Sequence, residues 1–521
     1  MNSFPLISFL TILPALGTVF LWSRGRHMSA HGVQRTGYLF SGLSFLVVAI
    51  LGLQFDTSSG ELQAVERYDW IPTLGVEYAV GIDGLSLLMI GLTALLVPMS
   101  LRAADPTCAR PHHFVALVLL LQTGLIGTFT TLNFFHWFLF WEISLIPAFF
   151  LIWTWGGPNR RSAALQFFVY TFVGSIGLLL AFLGLFAATG TFDFATLAEQ
   201  ARDGSLMSSL ASNLAWADIP IRWIGLILFA LAFLGVAVKV PLYPFHTWLP
   251  TTYSEAPTAV TILLTGLMSK MGVYALLRLI VPIFRDQMLL VATPLLFLAV
   301  LTIVLSAFAA YRQEDLKRVF AYSSINHLGY CFLGVFALVS GSAFDSSWNA
   351  EAAAAVNGVV LQMFNHGIVA GFIFYLVGRL EQRSQGVRGI NDFGGLRERA
   401  PQFATALGVA LFASLGLPGL NAFIGEFLIF KGAFALVKWA PAIATLGLLI
   451  TAVFLLGVIQ KVLTGPLNPK WQDFPDLNSG ERSIVAPCLV IMLLVGLFPQ
   501  LLIRFFNAST LRYLAQLGGL E

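Results

Sequence analysis

Apolar residues run in long stretches along this chain, broken by short segments rich in charge, glycine or proline. A helix that crosses a bilayer needs about 20 consecutive apolar residues. No stretch alternates apolar with polar positions, as a membrane barrel strand does. The pattern predicts fourteen spanning helices, over 4–22, 37–55, 81–101, 114–131, 133–153, 163–188, 222–245, 257–280, 291–310, 319–339, 354–378, 402–432, 441–464 and 483–503. The expected fold class is an all-α polytopic membrane protein. The first stretch has no basic run before it and no small-residue cleavage pattern after it, so it reads as a spanning helix rather than a signal peptide.

Composition narrows the function. Of 521 residues, 57% are hydrophobic and 11% charged, with a mean hydropathy of +0.82. Soluble chains carry about 25% charged residues, so a soluble enzyme and a disordered chain are both excluded. A net charge of +3 argues against nucleic acid as a partner. Cys108, Cys331 and Cys488 form no CxxC, which leaves no zinc or iron–sulfur motif, and no glycine-rich phosphate loop occurs. No cofactor or metal site is therefore expected in this chain.

The loop charges alternate in sign from one end of the predicted helices to the other. Basic residues occupy one set of loops: Arg24, Arg26 and Arg35; Arg102 and Arg110; Arg160 and Arg161; Arg312, Lys317 and Arg318; Arg379 through Arg399; Lys461, Lys470 and Arg482. The other set is acidic, with Asp56, Glu61, Glu66, Asp69 and Glu77, then Asp193, Glu199, Asp203 and Asp218, then Asp345 and Glu351. The positive-inside rule places the basic loops on the cytoplasmic or equivalent side.

A few charges lie inside the spans instead. These are Glu142, Lys239, Lys270, His327, His366 and Glu426. A charge at mid-bilayer costs about 2.5–3.5 kcal/mol on insertion scales and persists where it is paired, hydrated or turned to a protein interior. Burial strips the water that stabilises an ammonium, and a nearby carboxylate restores that stabilisation. A lysine whose acid partner approaches and withdraws can therefore load and release a proton. Histidine relays protons near neutral pH. The bland alternative is structural pairing, since a buried Glu–Lys pair can simply hold helices together. His246 and His136 lie nearer span ends. Two spans are interrupted, by Val-Pro-Leu-Tyr-Pro at 240–244 directly after Lys239 and by Leu-Gly-Leu-Pro-Gly at 415–419 before Glu426. Broken helices at membrane depth line cavities. The two breaks fall five spans apart, as matching points of an internal repeat over spans 4–8 and 9–13 would.

These stretches resemble the proton-translocating, antiporter-like subunits of respiratory complex I, of the chain M or chain 4 type, including cyanobacterial and plastid forms. The resemblance rests on VGIDGLSLLMI, WEISLIPAFF, KVPLYPFHTWLP, SEAPTAVTILLTGLMSKMG, LKRVFAYSSINHLGY, FNHG and SLGLPGLNAFIGEFLIFKG, spread over residues 80 to 432. It implies fourteen helices with two inverted five-helix repeats and a broken helix in each. The implied division is an N-terminal three-helix segment (1–110), two repeats (111–285 and 286–470) and a C-terminal helix (471–521). It also implies roles: Glu142 and Lys239 as acid and lysine of a pair, Lys270 as the central lysine, His327 and His366 as relays, and Glu426 as the exit acid. Lysine is common at that last position in sodium–proton antiporter subunits, which are the alternative reading. The activity implied is proton movement coupled to quinone reduction, with quinone, iron–sulfur clusters and NAD(P)H or ferredoxin bound by partner subunits. FGGLRERAP at 393–401, FNHG and LGLPGLNAFIGEFLIFKG resemble cyanobacterial chain 4 forms more than other bacterial ones, and some of those forms serve carbon dioxide uptake. That likeness implies a thylakoid location, with a bacterial inner membrane as the other possibility. The chain departs from the family at Pro250-Thr251-Thr252-Tyr253, where Pro-Asp-Ala-His is usual.

Overall fold

A computed structural model describes residues 4–105, 107–214, 219–341 and 349–518. Asp218 and Asp345, two of the acidic loop positions, lie outside the described residues. Long apolar stretches fold as helices because no water reaches the bilayer core, so each backbone N–H and C=O must be bonded within the segment. The first six spans are α1 (Leu6–Arg24), α2 (Ala30–Gln54), α3 (Gly84–Ala103), α4 (Pro111–Thr130), α5 (Phe134–Trp155) and α6 (Arg160–Thr189). Two short helices, α7 (Phe194–Arg202) and α8 (Ser205–Asn213), fill the acidic insert. Then come α9 (Ile221–Lys239), a stub α10 (Trp248–Glu255), and α11 (Thr258–Leu290). The remainder is α12 (Ala292–Tyr311), α13 (Leu316–Ser340), α14 (Asn349–Arg383), half-helices α15 (Pro401–Ser414) and α16 (Asn421–Leu436), α17 (Trp439–Thr464), α18 (Ser479–Leu497) and α19 (Gln500–Gly518).

Thirteen of these helices are long and apolar enough to cross a membrane. The predicted span over 402–432 is present as the two halves α15 and α16. The most apolar window of α11 and of α14 is buried along its whole length, whereas only about a third or less of those of α2 and α17 is buried. Leu16, Leu46, Leu180, Leu449 and Leu494 are among the large apolar side chains on the outside, a surface fit for lipid or for neighbouring apolar subunits.

Contacts between loops bear out the alternation of ends. At the basic end Arg383 pairs with Glu481 at 2.5 Å, Lys317 with Glu381 at 2.7 Å and Arg388 with Asp315 at 3.0 Å, and Arg379 donates to the Arg102 carbonyl. At the acidic end Arg67 bridges Glu77 and Asp193 at 3.0 and 3.2 Å, and Arg512 pairs with Glu61.

Two elements escaped the hydropathy pattern. Residues 63–82 form an antiparallel hairpin, β1 (Gln63–Ile71) and β2 (Val76–Ile82), closed by Gly75 at φ +60°. The chain also ends in two helices rather than one. Pro499 has no N–H to donate and restricts Phe498, so α18 stops at Leu497. The final helix α19 then reaches Glu61 through Arg512 and Gly84 through Ser509, so it lies across the acidic end instead of entering the bundle.

Candidate functional site

Both predicted breaks are real, and each lies beside a buried polar group, Lys239 at the first and Glu426 at the second. α9 ends on Lys239 because Pro241 and Pro244 cannot continue the ladder. The Val238 carbonyl freed there accepts the Trp248 indole N–H at 3.0 Å, and the Tyr243 amide donates to Thr302 Oγ1 at 3.0 Å. Between α15 and α16 the chain turns through Gly416 at φ +77° and Gly419 at φ +94°. Asn365 Nδ2 donates to the Asn421 carbonyl at 2.6 Å and Asn421 Nδ2 returns to Asn365 Oδ1 at 3.2 Å. Gly416 is needed twice over, since a Cβ there would stand 2.8 Å from Glu426 Oε2. Gly416→Ala should destabilise the chain by about 1–2 kcal/mol from the left-handed backbone alone and displace the Glu426 carboxylate. The expected outcome is a lower melting temperature and weaker proton pumping. An alanine variant that pumps normally would show that the carboxylate tolerates displacement.

Four of the six predicted residues meet in one buried line. Lys270 is wholly buried, and His366, His327 and Glu426 are no more than 6% exposed. Lys270 sits between two stretches of i→i+5 helix, Leu264–Met268 and Leu276–Ile280, a distortion that recurs at functional sites. Its Nζ donates to the Thr265 carbonyl at 2.5 Å and lies 2.6 Å from His366 Nδ1. The rings of His366 and His327 are 5.4 Å apart. His327 then holds Glu426 Oε1 at 3.0 Å through Nδ1 and Ser414 Oγ at 3.1 Å through Nε2. Gln362 Nε2 donates to the same carboxylate oxygen at 3.2 Å. The line starts at the centre of α11 and ends beside the break that precedes α16. Hydrogen bonds join Lys270 to His366 and His327 to Glu426, and the two pairs meet through the facing imidazole rings.

Glu142 and Lys239 stand apart from that line and, among the described residues, form no ion pair with each other. Lys239 is 4% exposed, and its Nζ lies over the Trp141 ring, 4.6 Å from the centroid. The Trp141 indole donates to Ser175 Oγ at 2.9 Å. Glu142 is half-buried, with Leu139 and Ile146 of its helix exposed, so it stands at the edge of the bundle. Its Oε1 has no hydrogen-bond partner. The lysine thus rests on the tryptophan ring rather than in a close ion pair with the acid.

Ser414, Gln362, Thr265 and Ser175 were not singled out from sequence. Gln362 carries a signal: with Asn365 and His366 it makes one polar patch on an otherwise apolar α14 at helical spacing. The other three are ordinary hydroxyls whose role depends on the neighbouring helix. His136 bonds the Glu77 carbonyl at 3.0 Å at the acidic end. His246 stacks near Tyr243 beside the first break.

Comparison with known proteins places this fold in a family. The chain is 32% identical to NADH-quinone oxidoreductase subunit M of Rickettsia felis over 98% of both chains. It is 36% identical to F(420)H(2) dehydrogenase subunit M of Methanosarcina mazei over 95% of both. Among solved structures, a chain of respiratory complex I from Thermus thermophilus superposes with a TM-score of 0.82 at 28% identity, covering 98% of this chain and 99% of that one. Residues 131–451 match the family described as "NADH:quinone oxidoreductase/Mrp antiporter, TM". That stretch holds all six membrane-embedded candidates and both broken helices, and the chain belongs to this family.

Proposed function

We infer that this chain is a proton-translocating membrane subunit of a complex I type quinone oxidoreductase. The observation that carries the reading is the buried line from Lys270 through His366 and His327 to Glu426, ending at a broken helix. Quinone, iron–sulfur clusters and a donor such as NAD(P)H or ferredoxin belong to partner subunits in this reading. The two repeats cover 111–285 and 286–470, each with one break. Glu142, at the edge of the bundle, answers to charge in a neighbouring subunit; its approach loads Lys239 and its withdrawal releases the proton toward Lys270. Protons move from the basic end, on the cytoplasmic or equivalent side, to the acidic end. The cyanobacterial thylakoid form, with its carbon dioxide uptake variant, rests on the likeness of FGGLRERAP, FNHG and LGLPGLNAFIGEFLIFKG.

The test uses the assembled complex in sealed vesicles. Subunits able to reduce quinone should co-purify with the chain. Quinone reduction should acidify the interior of vesicles whose 384–399 loop is open to external protease, without sodium. Acidification that requires sodium would move the chain to the cation–proton antiporter class.

A further inference from the structure

Beside the last member of the buried line stands an amide with one end unbonded. Gln362, on α14 one turn before His366, is 1% exposed. Its Nε2 donates to Glu426 Oε1 at 3.2 Å, and its Oε1 has no hydrogen-bond partner. That oxygen faces the backbone of Gly425 on α16, where a Cβ would stand 2.7 Å from it. A buried amide is ordinarily bonded at both ends, because an unbonded end costs free energy.

Two other buried amides nearby show the ordinary arrangement. Asn326 Nδ2 donates to the Ile303 carbonyl at 2.7 Å, and its Oδ1 accepts from the hydroxyls of Tyr330 at 2.6 Å and Thr451 at 3.3 Å. Asn365 Nδ2 donates to the Asn421 carbonyl, and its Oδ1 accepts from Asn421 Nδ2. Turning either amide over would set its oxygen against a carbonyl, so each is locked in one orientation. Among the described residues nothing bonds the far end of Gln362. A half-turn about its last side-chain torsion, which is roughly two-fold, therefore breaks no bond at that end, and the group it meets on Glu426 sets its orientation. A carboxylate only accepts, so it takes the Nε2–H. A protonated carboxyl also offers an O–H, which the amide oxygen can accept. His327 Nδ1 lies 3.0 Å from the same oxygen of Glu426.

We propose that Gln362 is a positioning residue for Glu426 whose amide turns over with each proton, donating to the carboxylate and accepting from the acid. The Nδ1–H bond of a protonated His327 breaks, its electron pair stays on the nitrogen, and an O–H bond forms at Glu426 Oε1. The new hydroxyl rotates away from Nδ1 to the Gln362 oxygen, which the half-turn of the amide has brought round. No covalent bond to Gln362 forms or breaks. Held there, the proton no longer points at His327 and does not return the way it came. When water takes the proton, the carboxylate re-forms and Nε2 swings back to it. Gly425 leaves the space in which the amide turns, since it places no side chain against Gln362.

The proposal rests on the proton-translocating reading, and the experiment separates the two. Gln362→Met keeps the length and flexibility of the side chain and removes both ends of the amide. In assembled complex in sealed vesicles its pumping should fall roughly tenfold, the effect of losing one hydrogen bond to an ionised group. Gln362→Asn keeps an amide that can turn over, one methylene short, and should recover part of the rate. Infrared difference spectra of the same membranes, at rest and turning over, give a readout that lost packing would not move. The C=O band of protonated Glu426 is the one that Glu426→Gln removes. In Gln362→Met that band should rise in frequency, because the acid has lost a hydrogen bond, and in Gln362→Asn it should lie between. If the methionine form fails to assemble, the asparagine form is read alone, and its band must still move. Wild-type pumping or an unmoved band in these variants, with Glu426→Gln dead, would overturn the role of Gln362 and leave the translocation reading standing. So would spectra in which Glu426→Gln removes no band. Wild-type pumping in both Glu426→Gln and Lys270→Met would overturn both.

Discussion

Lys270→Met should abolish proton pumping while the complex still assembles. Methionine matches the length and flexibility of the lysine stem and fills the same buried space. The exchange removes a wholly buried ammonium and leaves His366 Nδ1 and the Thr265 carbonyl without that donor. Losing one partner of a buried bond costs about 1–3 kcal/mol. Relief from burying a charge works in the other direction, so the net change in stability should be small. Function does not share that compensation, because a thioether carries no proton. Pumping should drop by about 10² or more, the usual loss when a proton-transferring group is removed. Lys270→Arg sharpens the test. A guanidinium keeps the positive charge and its donors but does not release its proton in proteins. If charge alone mattered, arginine would pump; if Lys270 must pass a proton on, arginine fails like methionine. Proton flux per quinone reduced in sealed vesicles distinguishes the two, and a pumping arginine form would remove Lys270 from the path.

The second large effect is expected at Glu426. Glu426→Gln preserves the shape and an acceptor oxygen for His327 Nδ1 and Gln362 Nε2, which now hold the carboxylate at 3.0 and 3.2 Å. It removes only the ability to take up and release a proton. Glu426→Ala removes the acceptor as well and leaves two buried donors unpaired, at about 1–3 kcal/mol each. Pumping should fall by about tenfold or more in both, with thermal stability lowered mainly in the alanine form. Glu426→Asp retains a carboxylate one methylene short of His327 and should keep part of the flux. Glu426→Lys would stay titratable but positive when loaded, repelling protons that arrive from His327. Equal pumping by the wild type and the glutamine form would show that protons leave the line before Glu426.

Much of this architecture was legible in the order of residues. In a bilayer each span must satisfy its backbone alone and present an apolar exterior, so span number, alternation of ends and the places where proline and glycine break the helix are local properties. The same holds for the six embedded polar residues, whose cost of insertion makes them visible against apolar neighbours. Elements outside the bilayer follow other rules. The 63–82 hairpin is held by strand pairing in water, and α19 is held by Arg512 and Ser509 against distant loops, so hydropathy said nothing of either. Pairing among the embedded groups was also decided only in three dimensions. Sequence set Glu142 and Lys239 as a pair, and in the folded chain the lysine lies over the Trp141 ring without a close ion pair to the acid. The folded helices bring Lys270 to His366, 96 residues away, and His327 to Glu426, 99 residues away. No local pattern reports such contacts, because which faces of α11, α13, α14 and α16 meet depends on helix packing and on the turns at Gly416 and Gly419. Serine and threonine are the extreme case. Their hydroxyls bond their own helix backbone, as Ser324 does at Phe320, and only packing of α13 on α11 also sets Ser324 Oγ 3.1 Å from Thr265 Oγ1.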